Sequence, residues 1–144
     1  MTAEGGELAG LVAAGNLAGA ARVLGRPYAV RGVVVQGDRR GRDLGFPTAN
    51  LELDPDQPLP PKGIYAGVAL GHRAAISIGV NPHFGGDVLR VEAHLLDFDG
   101  DLYGRRIALE LWAWLRDERA FASLAELVAA IAEDVAATRR AVRP

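Results

Sequence analysis

The sequence predicts a mainly β protein, a small antiparallel barrel or sandwich with a helix packed outside it. Three observations carry this. Six short runs of alternating or β-rich residues fill the middle of the 144-residue chain. Turn signals separate the runs and no helical pattern is interleaved, which argues against a parallel βαβ sheet. Helical patterns stand only at the two ends of the chain.

Residues 6–24 are alanine-rich and interrupted by Gly15 and Asn16, which predicts two short helices with a break, closed by Pro27. Strands are predicted at 29–36, 48–53, 64–70, 74–80, 89–97 and 106–115. In the last, Ile107, Leu109, Leu111, Ala113 and Leu115 alternate with Ala108, Glu110, Trp112 and Trp114, the period of a half-buried strand. Loops fall at 37–47, 54–63, 81–88 and 97–105. The second carries Pro55, Pro58, Pro60 and Pro61, so it is a stiff surface connection. A helix is predicted over 123–142. Ser123 and Glu126 have capping-box spacing, and Leu124, Leu127, Val128, Ile131 and Val135 form an apolar stripe. Arg139, Arg140 and Arg143 sit where the helix dipole favours cations.

Composition bounds the function. Hydrophobic residues make up 49% and charged residues 24%, enough for a compact core and contrary to overall disorder. No apolar run approaches the roughly 18 residues of a membrane helix. The acidic start of the chain lacks the basic n-region of a secretory signal. Cysteine is absent, which excludes disulfide scaffolds, thiol catalysis and thiolate metal sites, and fits a reducing cytosol. With 16 basic against 18 acidic residues there is no field of one sign, so charge does not suggest nucleic-acid binding.

The segment 37–50, GDRRGRDLGFPTAN, is the sharpest local feature. Its glycines at 37, 41 and 45 permit close backbone approach to an anion, and its arginines add bidentate charge. Thr48 and Asn50 lie two apart on a predicted strand and point the same way. Their hydroxyl and amide oxygens are hard ligands, suited to Mg²⁺ that keeps waters and bridges phosphates. The segment is not a Walker A loop, because it lacks Gly-Lys-Ser/Thr and leads into a strand. The alternative for the loop is a solvated hairpin connection. For Thr48 and Asn50 it is local bonding to backbone.

GRDLGFPTAN closely resembles the signature of riboflavin kinases, the ATP-dependent enzymes that make FMN. GIYAGVAL, SIGVNPHFGG, VEAHLLDFDGDLYG, LRDERAFASLAEL and IAEDVAATR follow in the order of that family's segments, over about residues 22–140. The resemblance implies a six-stranded antiparallel barrel with a C-terminal helix and short N-terminal helices. It implies a division into residues 1–27, similar to the connector that precedes the kinase module of bifunctional FAD synthetases, and a kinase domain at 28–144. The adenylyltransferase motif His-x-Gly-His of those enzymes is not among these residues.

By motif match, the resemblance places Gly37, Arg42, Thr48, Asn50, Leu95, Asp97 and Tyr103 on the ATP side, with Thr48 and Asn50 holding Mg²⁺ or another divalent cation. Arg42 stands where relatives often have lysine. Glu92 falls on the family's proposed general base, and Arg116, Arg119 and Phe121 on its flavin site. From alternation alone, Glu92 shares a face with His94 and Leu96, opposite Val91, Ala93 and Leu95, so one face suits a core and the other a cleft. Trp112 and Trp114 suit either stacking on a flavin or packing on a helix, and Asp134 either a structural bond or a wall of the flavin site. The implied function is phosphorylation of riboflavin at the ribityl 5′-hydroxyl, giving FMN and ADP, by a cytoplasmic monomer without nucleic-acid or membrane partners. A non-catalytic flavin-binding carrier or sensor, or a piece of a bifunctional FAD synthetase, are the alternatives.

Overall fold

The computed structural model describes residues 3–35, 48–80 and 89–144. These form α1 (Ala3–Ala13), α2 (Leu17–Leu24), β1 (Ala29–Val35), β2 (Ala49–Leu53), β3 (Gly63–Ala69), β4 (His72–Val80), β5 (Leu89–Leu95), β6 (Arg106–Arg116) and α3 (Leu124–Arg140). The break between the first helices falls where the sequence predicts it. Asn16 caps α2, its side chain accepting from the Gly19 N–H at 2.8 Å, and Gly25 closes the helix at φ 74°, a conformation natural to glycine.

The six strands close into a barrel in the order β1-β2-β5-β4-β3-β6, and each neighbouring pair is antiparallel. Val30, Leu51, Tyr65, Ile76, Val91 and Leu109 point inward and pack as one apolar cluster, to which α1 and α2 add Val12, Leu17 and Ala20. Alternation therefore reads the faces of β5 correctly through Leu95, whereas Leu96, predicted on the face of Glu92, lies past the end of the strand and is buried. In β6 it holds through Ile107, Leu109 and Leu111 and then fails. The pairing with β3 shifts register twice, leaving Trp112 and Leu115 without a partner on β3. Each extra residue turns the following side chains, so Ala113 and Leu115 are only half-buried.

Helix α3 packs across β3 and β4. Its cap forms as predicted: Ser123 Oγ accepts from the Glu126 N–H at 3.2 Å, and the Glu126 carboxylate accepts from the Ala122 N–H at 3.0 Å. The buried line differs from the predicted stripe. Ala130, Asp134 and Thr138 are buried, whereas Leu124 is 53% exposed. The reason is that arginines from the barrel meet this helix. Arg116 pairs with Asp134, and Arg73, stacked on Trp112 at 4.4 Å, donates to the carbonyl oxygens of Thr138 and Ala141 at the helix end. The helix stops at Arg140 because Ala141 turns to an extended conformation.

The proline-rich connection between β2 and β3 is pinned from inside. The Tyr28 and Tyr65 hydroxyls donate to the carbonyls of Pro58 and Pro61 at 2.5 and 2.6 Å. Burial pushes the Tyr65 pKa up to about 12, so this hydroxyl stays protonated and remains a donor.

Candidate active site

Barrel closure places polar residues from separate strands in one row on the outer wall. Leu51 and Val91 point into the core, so Asn50 on β2 and Glu92 on β5 point outward. The two are direct cross-strand partners, and Glu92 is also opposite Ser77 on β4. Side chains so paired project to the same face with Cβ atoms roughly 5 Å apart. Asn50 is only 7% exposed, an amide buried on an outer wall, while Glu92 and Ser77 are half-buried. Thr48 stands at the entry to β2, two residues before Asn50. On the far side of Asn50 the row continues to Val35 of β1.

Tyr103 flanks that end. Its N–H donates to Asp101 Oδ1 at 2.9 Å, shaping a turn whose next residue, Gly104, donates to the Val34 carbonyl at 2.8 Å. Tyr103 is 60% exposed. Leu95 lies on the opposite face of β5 from Glu92, within the barrel core. Asp97 occupies a left-handed turn position at φ 59° and is paired with Arg139 at 2.8 and 3.0 Å, which holds its carboxyl below the usual range. Gly37 and Arg42 lie outside the described residues.

His94 follows Glu92 on the outer face of β5. Burial lowers its pKa, and the charge of Arg139 adds to the effect, so its neutral form is favoured.

The predicted flavin-side residues converge on one ring. The Arg116 and Arg119 guanidinium groups lie 5.7 and 5.1 Å from the Phe121 centroid. Asp134 holds Arg116 with two hydrogen bonds of 2.8 Å, and Arg116 also donates to the Asp117 carbonyl at 3.1 Å. Of the two roles open to Asp134, the structural bond is therefore present. Trp112 donates to Glu110 at 3.0 Å and carries Arg73, while Trp114 meets Tyr65 edge-on at 5.3 Å.

Ser77 and Glu118 are the residues sequence reasoning passed over. Nothing in a serine within an apolar strand marks it as a partner of Glu92, because that pairing exists only once β4 and β5 are in register. Gly79, inside a strand, was the available signal for Glu118, since glycine there marks a close approach.

The donor set can be tested against a divalent cation. The described residues hold no cluster of three or more His, Asp or Glu side chains able to bind a metal by themselves. Thr48 and Asn50 supply two neutral oxygens, which fits a cation held by one or two protein groups together with substrate phosphates. A separate cavity of about 560 Å³ lies between the N-terminal helices and β1, β3 and β6, lined among others by Leu24, Arg26, Tyr28 and Glu110. It shares no residue with the Asn50–Glu92 row.

Comparisons with known proteins agree with this geometry. The flavokinase (riboflavin kinase) family model matches residues 24–142. The bifunctional riboflavin kinase/FMN adenylyltransferase of Escherichia coli K12 is 47% identical over 124 residues, covering 83% of this chain and 39% of that protein. The chain thus spans about two fifths of the length of the curated relatives it matches. Riboflavin kinase from Trypanosoma brucei superposes with a TM-score of 0.59 at 32% identity, covering 80% of this chain and 79% of that one. A Streptococcus pneumoniae chain named macrolide-efflux protein superposes with a TM-score of 0.85 at 34% identity, over 93% of this chain and 45% of that one. Among the described residues, no helix is long and apolar enough to cross a membrane. The six-stranded closed barrel, the ordered motifs and the match over residues 24–142 lead to one conclusion: the chain belongs to the riboflavin kinase family.

Proposed function

We propose that this chain transfers the γ-phosphoryl group of ATP to the ribityl 5′-hydroxyl of riboflavin, giving FMN and ADP. The observation that carries the reading is the direct pairing of Asn50 with Glu92 on the outer wall of a riboflavin kinase barrel. Asn50 and Thr48 would hold a divalent cation together with the nucleotide phosphates. When bound, that cation offsets the negative charge of the phosphates. Glu92 orients the ribityl hydroxyl and accepts its proton. Phosphoryl transfer is mostly positioning and charge stabilisation, so the base needs only to stand beside the attacking oxygen. Arg116, Arg119 and Phe121 are assigned to the flavin, Tyr103 and Asp97 to the nucleotide side, and Gly37 and Arg42 to the phosphates, while Leu95, expected on the nucleotide side, packs in the barrel core.

The domain division is proposed with it: residues 1–27 as a helical connector and 28–144 as the kinase domain. Val12, Leu17 and Ala20 in the barrel's apolar cluster support a connector that docks on the domain. A cytoplasmic monomer is the matching form. Absence of cysteine fits a reducing compartment, and one chain carries every residue assigned above.

The test is incubation of the chain with riboflavin, ATP and Mg²⁺, followed by chromatography. FMN should accumulate, and FMN with ATP should give no FAD. Riboflavin that binds but is never phosphorylated would instead mark a flavin carrier.

A further inference from the structure

The flavin-side assignment leaves Glu118, in the middle of the same loop, without a role. Its carboxylate lies against the outer face of β4 at Gly79, and a Cβ at residue 79 would fall inside that carboxylate. Gly79 therefore forms a notch, and Glu118 fills it. Across from Gly79 on β5 is Arg90, and the next pair along the same face is Ser77 with Glu92. Two strand residues separate the rows, roughly 7 Å. The loop thus reaches the barrel wall one row from Glu92.

The other anchors of this loop lie at its ends. Arg116 is bound to Asp134 at the start, and the Glu126 carboxylate accepts from the Ala122 N–H at the finish. Between them, Arg119 stacks on Phe121, a contact within the loop itself. The Gly79–Glu118 contact ties the middle of the loop to β4. Burial in the notch raises the pKa of this carboxylate, and the positive charge of Lys62 and Arg116 offsets only part of that rise.

We propose that Glu118 is a positioning residue. Seated in the Gly79 notch, its carboxylate sets the height of the Arg116–Phe121 segment above the Ser77–Glu92 row, and so sets riboflavin affinity without taking part in phosphoryl transfer. This rests on the kinase reading of the same site.

Gly79→Ala is the direct test. The atoms a new methyl meets are the far end of a flexible side chain, so the carboxylate swings away and the barrel is kept. Riboflavin binding is read by quenching of its own fluorescence without ATP. Steady-state rates are read separately for each substrate. Gly79→Ala and Glu118→Ala should each weaken riboflavin binding about tenfold, because two loop side chains must then be ordered on binding instead of before it. The double variant should be no worse than either single one, because both changes empty the same notch. The KM for ATP, kcat at saturating riboflavin and the melting temperature should stay near wild type. Wild-type affinity in Gly79→Ala, an equal rise in both KM values, or additive losses in the double variant would overturn the positioning role alone. Wild-type protein that binds riboflavin but makes no FMN sinks the kinase reading while the binding comparison still decides the notch. Wild-type protein that binds no riboflavin overturns both.

Discussion

Asn50 and Glu92 face each other across the β2–β5 ladder, although forty-two positions separate them in sequence. The pair joins the residue assigned to the cation to the residue assigned to the attacking hydroxyl. That arrangement is what a phosphoryl transfer site needs, since most of its catalysis is relative placement.

The first prediction concerns the oxygens on that strand. Thr48→Ala and Asn50→Ala should each raise the KM for MgATP about tenfold or more and leave riboflavin binding close to normal. Both act through one cation, so the double variant should cost much less than the sum of the two. Nucleotide titrations of the three variants check this. Unchanged nucleotide affinity in both single variants would remove the cation assignment.

Much of this arrangement is legible in the sequence, and the remainder has a physical reason for being hidden. The strands are visible because each alternates or is β-rich over five or more residues. Asn16, Gly25 and Ser123 mark helix ends because capping is local chemistry. Closure between β1 and β6 is not local: Val30 meets Leu109 across most of the chain, and no short-range signal encodes that register. The two shifts in β6 escape a period-two reading because an extra residue changes the face of all that follow. Helix α3 misleads for another reason. Its apolar stripe is genuine, yet the arginines of β4 and β6 draw Asp134 and the helix end toward the barrel.

The second prediction follows from Arg116 and Asp134. Their side chains are 23% and 10% exposed, so the pair is largely, not fully, removed from water. Asp134→Ala leaves a half-buried guanidinium without its carboxylate. The expected loss is on the order of 2–3 kcal/mol, below the full cost of severing a buried pair because part of Arg116 stays wet. A lower urea midpoint at constant slope is the expected result, together with weaker riboflavin binding. Wild-type stability in this variant would mean that the pair is not held in solution.

The third prediction is a pH dependence. The folded-state pKa of His94 lies below its ordinary value of 6.5, chiefly through burial and further through Arg139. The unfolded chain then binds the extra proton first. The stability tied to neutral His94 is full above about pH 6.5 and is lost as pH falls through the lower folded value. Melting temperature should therefore drop between pH 7 and 5, and His94→Gln should flatten that part of the curve. Parallel curves for the two proteins would show that His94 titrates alike in both states.

The last prediction concerns Glu92. On β5, Val91 and Ala93 are buried in the barrel, so the Glu92 carboxylate is on the wall that carries Asn50 and Ser77. A carboxylate there can accept the hydroxyl proton as the oxygen attacks phosphorus. Glu92→Gln keeps the size and one oxygen acceptor but removes the charge and the proton-accepting capacity. Loss of a positioned base typically lowers the rate by about 10²–10⁴-fold. Riboflavin and MgATP binding should change far less, because the missing interaction is made mainly in the transition state. Asn50 across the ladder should remain folded in place, so the melting temperature should stay close to wild type. Turnover and equilibrium binding measured on one preparation separate the outcomes. A large fall in kcat with intact binding supports the base. Near-normal kcat removes it. Loss of riboflavin binding with normal single-turnover chemistry would make Glu92 an anchor for the ribityl chain and not its base.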